Sequence, residues 1–182
     1  PLDYEGFWKP ELIEPVALFC REWKEVGNGL PVAGIFLDFE MYHAPDQASQ
    51  FSSLMDFSSV AWRLFCATYA AASIIDPSCS ACVKIAYLLS NRLVDHYFSV
   101  LAHEARLLGE RVKNEFHKIC SGLKLAAYNL HLPISWFYEG FLAGLGSVQE
   151  PLIMATFSLE FEMHRAWLER RGIYIKHLPV VM

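Results

Sequence analysis

The chain has 182 residues, of which 54% are hydrophobic and 14% aromatic, so it can bury a sizeable core and is not a disordered chain. Its formal net charge is −5, with 15 basic and 20 acidic side chains, which argues against a nucleic-acid-binding protein. No apolar run in the sequence reaches the length of a membrane span.

Cysteine usage favours ordinary thiols over a disulfide framework or a metal site. Five cysteines are an odd number at low density. Cys79 and Cys82 form one CxxC pair, but no second pair and no histidines at ligand spacing follow it. A local disulfide and a metal site are the alternatives for this pair.

The two ends of the sequence suggest that more chain belongs to the protein. The chain begins at Pro1 without a methionine, and its last residues read as a strand. We therefore expect an excised piece of a longer polypeptide, whose remainder would be its partner. The sequence fixes no compartment, although removal of a signal peptide would fit an extracytoplasmic location.

The first two thirds of the chain are predicted to be mainly helical around one acidic strand. Apolar spacing predicts helices over residues 10–26, 56–72 and 91–120. Residues 32–42, VAGIFLDFEMY, predict a strand that is followed by a polar loop over residues 43–55. Residues 82–89 fit either a short strand or the first turns of the next helix.

The acidic strand places two carboxylates on one side. Residues two apart in a strand point to the same face. One face is therefore predicted to hold Gly34, Phe36, Asp38 and Glu40, and the other Ile35, Leu37, Phe39 and Met41. An acid pair at the end of a buried strand is costly unless it meets water, a partner or a ligand, so this strand end is the first candidate site.

The last third of the chain alternates regularly between strands and helices. Strands are predicted over residues 123–129, 151–157 and 173–182, and helices over residues 134–145 and 159–171. With the acidic strand, this alternation predicts an α/β fold with a parallel sheet, whose apolar strands suit cover on both faces.

Sites in parallel α/β sheets lie at the carboxyl ends of the strands. The polar and aromatic residues predicted there are Asp38, Glu40, Tyr42, Tyr128, Asn129, His131, Thr156, Phe157, Ser158 and His177. The alternative explanation is that strand ends are polar by necessity. No glycine-rich phosphate loop follows any strand, so we predict neither nucleotide binding nor a cofactor.

Two architectures fit this order of elements. A complete eight-stranded (β/α) barrel of the TIM type takes about 250 residues, so four or five units account for roughly half of one. A small doubly wound sheet is the alternative, because this length would complete it. We prefer a partial TIM-type barrel that forms a single α/β domain over residues 1–182.

The order of these pieces resembles the middle of a TIM-barrel glycoside hydrolase, most nearly the chitinase-like group. Those enzymes carry a DxxDxDxE motif at the end of the fourth barrel strand, and its last half is present here as Asp38-Phe39-Glu40. Ala33 and Phe36 occupy the positions of the two earlier aspartates. The next strand, LKLAAYN, is similar to the short alanine-rich strand of that family. Met154 is also in place, whereas Phe157-Ser158 replaces a Tyr-Asp pair.

The resemblance implies a carbohydrate substrate and assigns roles to two carboxylates. Glu40 would be the general acid that protonates the glycosidic oxygen, and Asp38 would orient the substrate or assist Glu40. Because two carboxylates on one strand face repel each other, one of them is expected to keep its proton. The predicted sugar-binding residues are Tyr42, Tyr128, Asn129, Trp136 and His177. Trp136 fits a core position as well as a stacking role, because WFYEGFL also begins an amphipathic helix.

Two other functions compete with glycoside hydrolysis. A binding or scaffolding module could have kept the barrel and lost the chemistry. A metal-dependent hydrolase could use His43, Asp38 and Glu40 together with His131 or His177, because carboxylates and imidazoles from separate strand ends are common metal ligands. A triad of Ser158, His177 and Asp38 lacks a nucleophile-elbow sequence.

Overall fold

A computed structural model describes residues 2–38, 56–128, 135–156 and 160–179 of the protein. A π-helix at Tyr4–Ile13 runs into the first α-helix, and a 3₁₀ turn at Ala70–Ile74 lies between the second and third. The α-helices are α1 (Glu14–Val26), α2 (Ser59–Thr68), α3 (Ala81–Ser90), α4 (Val94–Ile119), α5 (Trp136–Leu145), α6 (Glu160–Met163) and α7 (Arg165–Arg170). The strands are β1 (Gly34–Asp38), β2 (Lys124–Tyr128), β3 (Leu152–Thr156) and β4 (Ile175–Pro179).

The four strands form one parallel sheet in the order β1-β2-β3-β4. Each strand pairs with the strand that follows it along the chain, so the described strands show no reversal of order. The predicted α/β class with a parallel sheet is confirmed. The described residues do not form a closed barrel.

One face of the sheet carries the main hydrophobic core. This core joins strand residues to the π-helix, α4 and α5; the strand members are Leu37, Leu125, Ala127, Leu152, Met154 and Ile175. Alternate residues point the other way, and among them Phe36 and Leu178 are 54% and 53% exposed. We call this second side the open face.

The open face corrects one prediction from the sequence. The apolar strands were expected to be covered on both faces, but the described helices pack on one face only. Connections between parallel strands are right-handed, so a chain that always moves to the next strand in the same direction lays its helices on the same side. The predicted alternation of β1 is confirmed over its described residues, with Leu37 buried and Phe36 and Asp38 exposed.

Helices α4 and α5 approach each other so closely that only glycine fits at three positions. A Cβ atom on Gly140 would overlap the carbonyl oxygen of Ala102, and one on Gly144 would overlap that of Arg106. On the other helix, a Cβ atom on Gly109 of α4 would overlap the carbonyl oxygen of Phe141 of α5. The contact between the two helices is therefore made by backbone atoms, and it fixes where α5 begins.

A second core cluster joins α2, α3 and the first half of α4, with Trp62, Phe65 and Tyr97 fully buried. Lys84 of α3 lies inside this cluster at 2% exposure. Its Nζ donates to the carbonyl oxygens of Phe57 at 2.8 Å and Pro77 at 2.7 Å. Residues 82–89, for which the sequence allowed either a strand or a helix, lie within α3 and are helical.

Several element ends differ from the prediction. The N-terminal helical segment begins at Tyr4 instead of residue 10, because Asp3 caps it by accepting the amide of Gly6 at 2.8 Å. The predicted helix over residues 159–171 is two short helices that meet at His164. No helix in the described ranges is long and apolar enough to cross a membrane.

Candidate functional site

A pocket of about 650 Å³ opens at the carboxyl end of β1. Its walls come from the π-helix, the end of β1 and the first turn of α5. Five aromatic side chains line it, namely Phe7, Trp8, Phe36, Phe137 and Tyr138. Three acidic side chains line it as well, namely Asp3, Glu11 and Asp38. Among its described lining residues there is no lysine, arginine or histidine, so the pocket is aromatic and acidic.

Trp8 anchors the aromatic wall, and its neighbours present the accessible rings. Trp8 is 7% exposed. Its ring centroid lies 4.6 Å from that of Phe141 and 6.2 Å from that of Phe137. Phe7 stands edge-on to it at 5.5 Å and is 53% exposed. Phe7 and Phe36 therefore offer exposed apolar rings at the rim of the pocket.

The π-helix is held against α4 by one arginine. The Arg111 guanidinium lies 3.4 Å from the centroid of the Tyr4 ring and donates to the Glu5 carboxylate at 2.6 Å. Such cation–π and ion-pair contacts are individually modest at an exposed site. Together with the burial of Trp8, they fix the helix turn that carries Phe7 into the pocket.

Tyr138 reaches the pocket from the capped start of α5. The Ser135 hydroxyl accepts the amide of Tyr138 at 3.3 Å, which is an N-cap hydrogen bond. Burial raises the pKa of the Tyr138 hydroxyl above its ordinary value. The raised pKa favours the neutral phenol, which is both a hydrogen-bond donor and an acceptor.

The three carboxylates of the pocket have different surroundings. Asp3 already accepts the amide of Gly6 as a helix cap, so one of its oxygens serves the fold. Glu11 lies exposed in the last turn of the π-helix. Asp38 is the last residue of β1 and points to the open face, at the strand end where parallel-sheet proteins place their chemistry.

Two of the predicted site residues are neighbours in the structure. Asp38 and Tyr128 are partners in the register of β1 and β2, so their side chains leave the same face of the sheet. Glu40, Tyr42 and Asn129 lie outside the described residues, so their predicted roles stay predictions. The same holds for His43, His131 and Ser158 of the alternative sites.

Trp136 and His177 lie away from this pocket. Trp136 is 7% exposed, belongs to the second core cluster and meets the edge of Phe137 at 5.7 Å. His177 is opposite Met154 on the covered side of the sheet, three strands and about 14 Å from β1. Its Nε2 is buried, with no hydrogen-bond partner in the described part of the chain. Stacking by Trp136 stays a prediction that would require this ring to be uncovered.

The sequence reasoning missed most of the aromatic wall. Phe7 and Trp8 come from the segment before the predicted first helix, more than 100 residues from Phe137 and Tyr138. The available signal was the cluster WFYEGFL, which was interpreted through Trp136 alone. Phe36 was already placed on the face of Asp38 but was not considered as a binding residue.

Neither metal nor disulfide chemistry finds support in the described ranges. They contain no group of three His, Cys, Asp or Glu side chains that could hold a metal ion. The metal set predicted from the sequence relies on Glu40, His43 and His131, which lie outside those ranges. All five cysteines are described and are free thiols, so the alternative of a Cys79–Cys82 disulfide is wrong for this structure.

Comparison with known proteins adds no relative. No family model matches the chain, and neither a curated protein nor a solved structure does. The resemblance to chitinase-like glycoside hydrolases is therefore carried by the residues of the chain alone.

Proposed function

We propose that this chain is part of a TIM-type (β/α) barrel that hydrolyses glycosidic bonds of an oligosaccharide or polysaccharide. The sequential strand order and the single helix-covered face support the barrel, because both arise when βα units follow one another around a barrel. Further βα units of the same polypeptide would continue the sheet beyond β1 and β4 and enclose the open face.

One observation carries the functional proposal: a strand-end carboxylate shares a pocket with exposed aromatic rings. Asp38 lines the same pocket as Phe7 and Phe36. A sugar ring has apolar C–H faces that pack on aromatic rings, while its hydroxyls require polar partners. Tyr138 supplies a protonated phenol, and the carboxylates supply acceptors. Ligand sites commonly combine an apolar lining with a few polar groups in this way.

The proposed reaction needs two carboxylic groups near the scissile bond. Glu40, two residues along the chain from Asp38, is the general acid that protonates the leaving oxygen. Asp38 orients the substrate or assists Glu40, and Tyr128, its register partner, is placed to contact the same sugar. The sugar contacts proposed for Tyr42 and Asn129 belong to the same hypothesis, whereas His177 lies on the covered side of the sheet and is not part of this pocket.

The decisive experiment measures hydrolysis of an oligosaccharide panel by the wild-type protein and by Glu40→Gln. The variant keeps the size of the side chain and removes the acid, so turnover should fall about a hundredfold or more while the far-UV circular dichroism is unchanged. Undiminished turnover in Glu40→Gln would reject the role of Glu40. Metal analysis of the same wild-type sample tests the metal-dependent alternative, which a stoichiometric ion would favour.

A non-catalytic carbohydrate-binding module is the second candidate, and the excess of aromatic over charged lining favours it. In that case the wild-type protein binds oligosaccharides without turnover, and Glu40→Gln binds them equally well. A protein that neither binds nor hydrolyses any member of the panel contradicts both candidates.

A further inference from the structure

A second cavity, of about 270 Å³, lies at the opposite end of the sheet, where β2 and β3 begin. Three lysines and one histidine are among its lining residues, namely Lys113, His117, Lys124 and Lys176. Glu150 is the only acidic residue among its described lining residues. This is an unusual gathering in a chain that has 20 acidic and only 15 basic side chains.

The basic residues of the lining come from three separate elements of the fold. Lys113 and His117 are one turn apart on α4, so they share a side of that helix, and both are half-buried. Lys124 is the first residue of β2, and Lys176 is the second residue of β4. Both strand lysines belong to the open face, two strands apart.

The three lysines form no ion pair within the described residues, whereas Lys9 and Lys118 each pair with a glutamate one helical turn away. Like charges brought together repel each other, and partial burial of Lys113 weakens the screening by water. An anion between these lysines would relieve the repulsion. With three lysines and only one acidic residue, Glu150, among its described lining residues, the cavity carries a net positive charge and favours an anion.

The rest of the cavity wall limits the size and character of the ligand. The inner wall is apolar and consists of Leu123, Leu125, Leu145 and Leu152. The rim segment is held by two hydrogen bonds, in which the Glu150 amide donates to the Ser147 hydroxyl at 3.0 Å and the Ser147 amide donates to the Glu150 carbonyl at 2.9 Å. Such a volume is slightly below the usual range of ligand sites and therefore suits a small molecule.

We propose that this cavity binds the phosphate group of a small phosphorylated molecule. Lysine ammonium groups bind phosphate as point charges, and three of them offset a doubly charged oxyanion. The apolar wall contacts the body of the molecule. The site is at the amino-terminal end of the sheet, opposite the aromatic pocket, so it does not depend on the proposed glycosidase activity.

Isothermal titration with inorganic phosphate tests the site, with sodium chloride added to the reference at equal ionic strength. Saturable binding with a stoichiometry of one is expected. The double substitution Lys113→Gln/Lys176→Gln should weaken it at least about tenfold, and Lys176→Gln alone should weaken it less. The matched control Lys24→Gln/Lys118→Gln removes the same charge from exposed positions outside the cavity and should leave the affinity unchanged.

Absence of saturable phosphate binding by the wild-type protein would overturn the proposal. Equal weakening by the control pair would also overturn it, because binding would then follow net charge instead of the cavity. If the double variant does not fold, Lys176→Gln carries the test alone, since Lys176 is exposed on β4, the last strand of the described sheet. Titration with a phosphorylated monosaccharide then compares a ligand with an organic body to free phosphate, and tighter binding of the former is expected from the apolar wall.

Discussion

Asp38 at the end of β1 and Tyr128 at the end of β2 are register partners on adjacent parallel strands, and their side chains leave the open face together. Neighbouring strands are about 4.8 Å apart, so both groups can touch one ligand atom or its direct neighbour. Through this pairing, the carboxylate of β1 lies beside the nearest side chain at the carboxyl end of the neighbouring strand β2.

The first prediction concerns energetic coupling between these two residues. Asp38→Asn and Tyr128→Phe should each lower kcat/KM for an oligosaccharide. The double variant should deviate from the sum of the two effects by about 0.5–1 kcal/mol, because both residues contact the same sugar in the proposed site. The control pair is Asp38→Asn with His177→Gln, which lie about 14 Å apart and should add. Strict additivity for Asp38 and Tyr128 would count against a shared contact.

The second prediction separates ligand contact from general exposure on the open face. Phe36 and Leu178 are almost equally exposed on this face, but only Phe36 lines the aromatic pocket. Phe36→Ala should weaken oligosaccharide binding about tenfold, which corresponds to about 1.4 kcal/mol. Leu178→Ala should leave the affinity unchanged. Equal losses in both variants would place the effect in the sheet and not in the pocket.

The third prediction concerns the backbone contact between α4 and α5. Gly144→Ala puts a Cβ atom onto the carbonyl oxygen of Arg106, so the helices must move apart. Such overpacking should lower the free energy of unfolding by about 2–3 kcal/mol in urea. Gly122→Ala is the control, because its φ of +85° is unfavourable but the space around it is open. Gly122→Ala should lower the free energy of unfolding by about 1 kcal/mol. A larger loss for Gly122→Ala than for Gly144→Ala would contradict the packing argument.

The fourth prediction follows from the buried Lys84. Burial lowers the pKa of this ammonium below its ordinary value of 10.5. As the pH rises from the lowered value towards 10.5, the folded protein releases this proton while the unfolded chain still holds it, so the free energy of unfolding rises. Lys84→Met removes this rise. At neutral pH the variant should be about 2 kcal/mol less stable, because two partly buried carbonyl oxygens lose their donor.

Urea unfolding at pH values from about 7 to about 10 measures both effects, since the gap between wild type and Lys84→Met should widen with pH. Lys24→Met is the control, because Lys24 is exposed on α1 and should show no such change. A constant gap across this range would show that the buried ammonium does not titrate as described.

The fifth prediction concerns Tyr97, whose titration should make stability fall as the pH rises, opposite to the effect of Lys84. Its hydroxyl donates to the carbonyl oxygen of Asp56 at 2.5 Å, and burial raises its pKa above the ordinary value of 10.0. Above pH 10 the unfolded chain loses this proton first, so stability falls as the pH rises. Tyr97→Phe should cost about 1 kcal/mol at neutral pH and lack this alkaline fall. The gap to wild type should therefore narrow above pH 10, and a gap that widens there would contradict the assignment.

The strands could be predicted to within a few residues, because each is a short apolar run bounded by glycine or proline. Residues 123–129 predicted β2, and the strand forms at Lys124–Tyr128 after Gly122. The N-terminal helical segment was placed too late, since Pro10 is a common first residue of a helix but lies inside one here. Local patterns therefore located the elements correctly, but they misplaced the start of the N-terminal helix, because proline can stand either at the start of a helix or inside one.

The candidate site was predictable only where one rule ties sequence to position. The carboxyl-end rule correctly brought Asp38 and Tyr128 to one edge, because it needs only the strand limits. The contributions of Phe7 and Trp8 depend on docking of the π-helix against α4 through Arg111, a contact between distant parts of the chain. The open face could not be deduced either, because an apolar strand reads the same whether one or both of its sides are covered.

The glycines between α4 and α5 also bear on how this protein can diverge. The start of α5, which presents Phe137 and Tyr138 to the aromatic pocket, is positioned by main-chain atoms that mutation of neighbouring side chains leaves intact. A substitution at either ring leaves in place the backbone contacts that position the helix. Ligand preference is thus free to drift in descendants of this chain while Gly140 and Gly144 stay invariant.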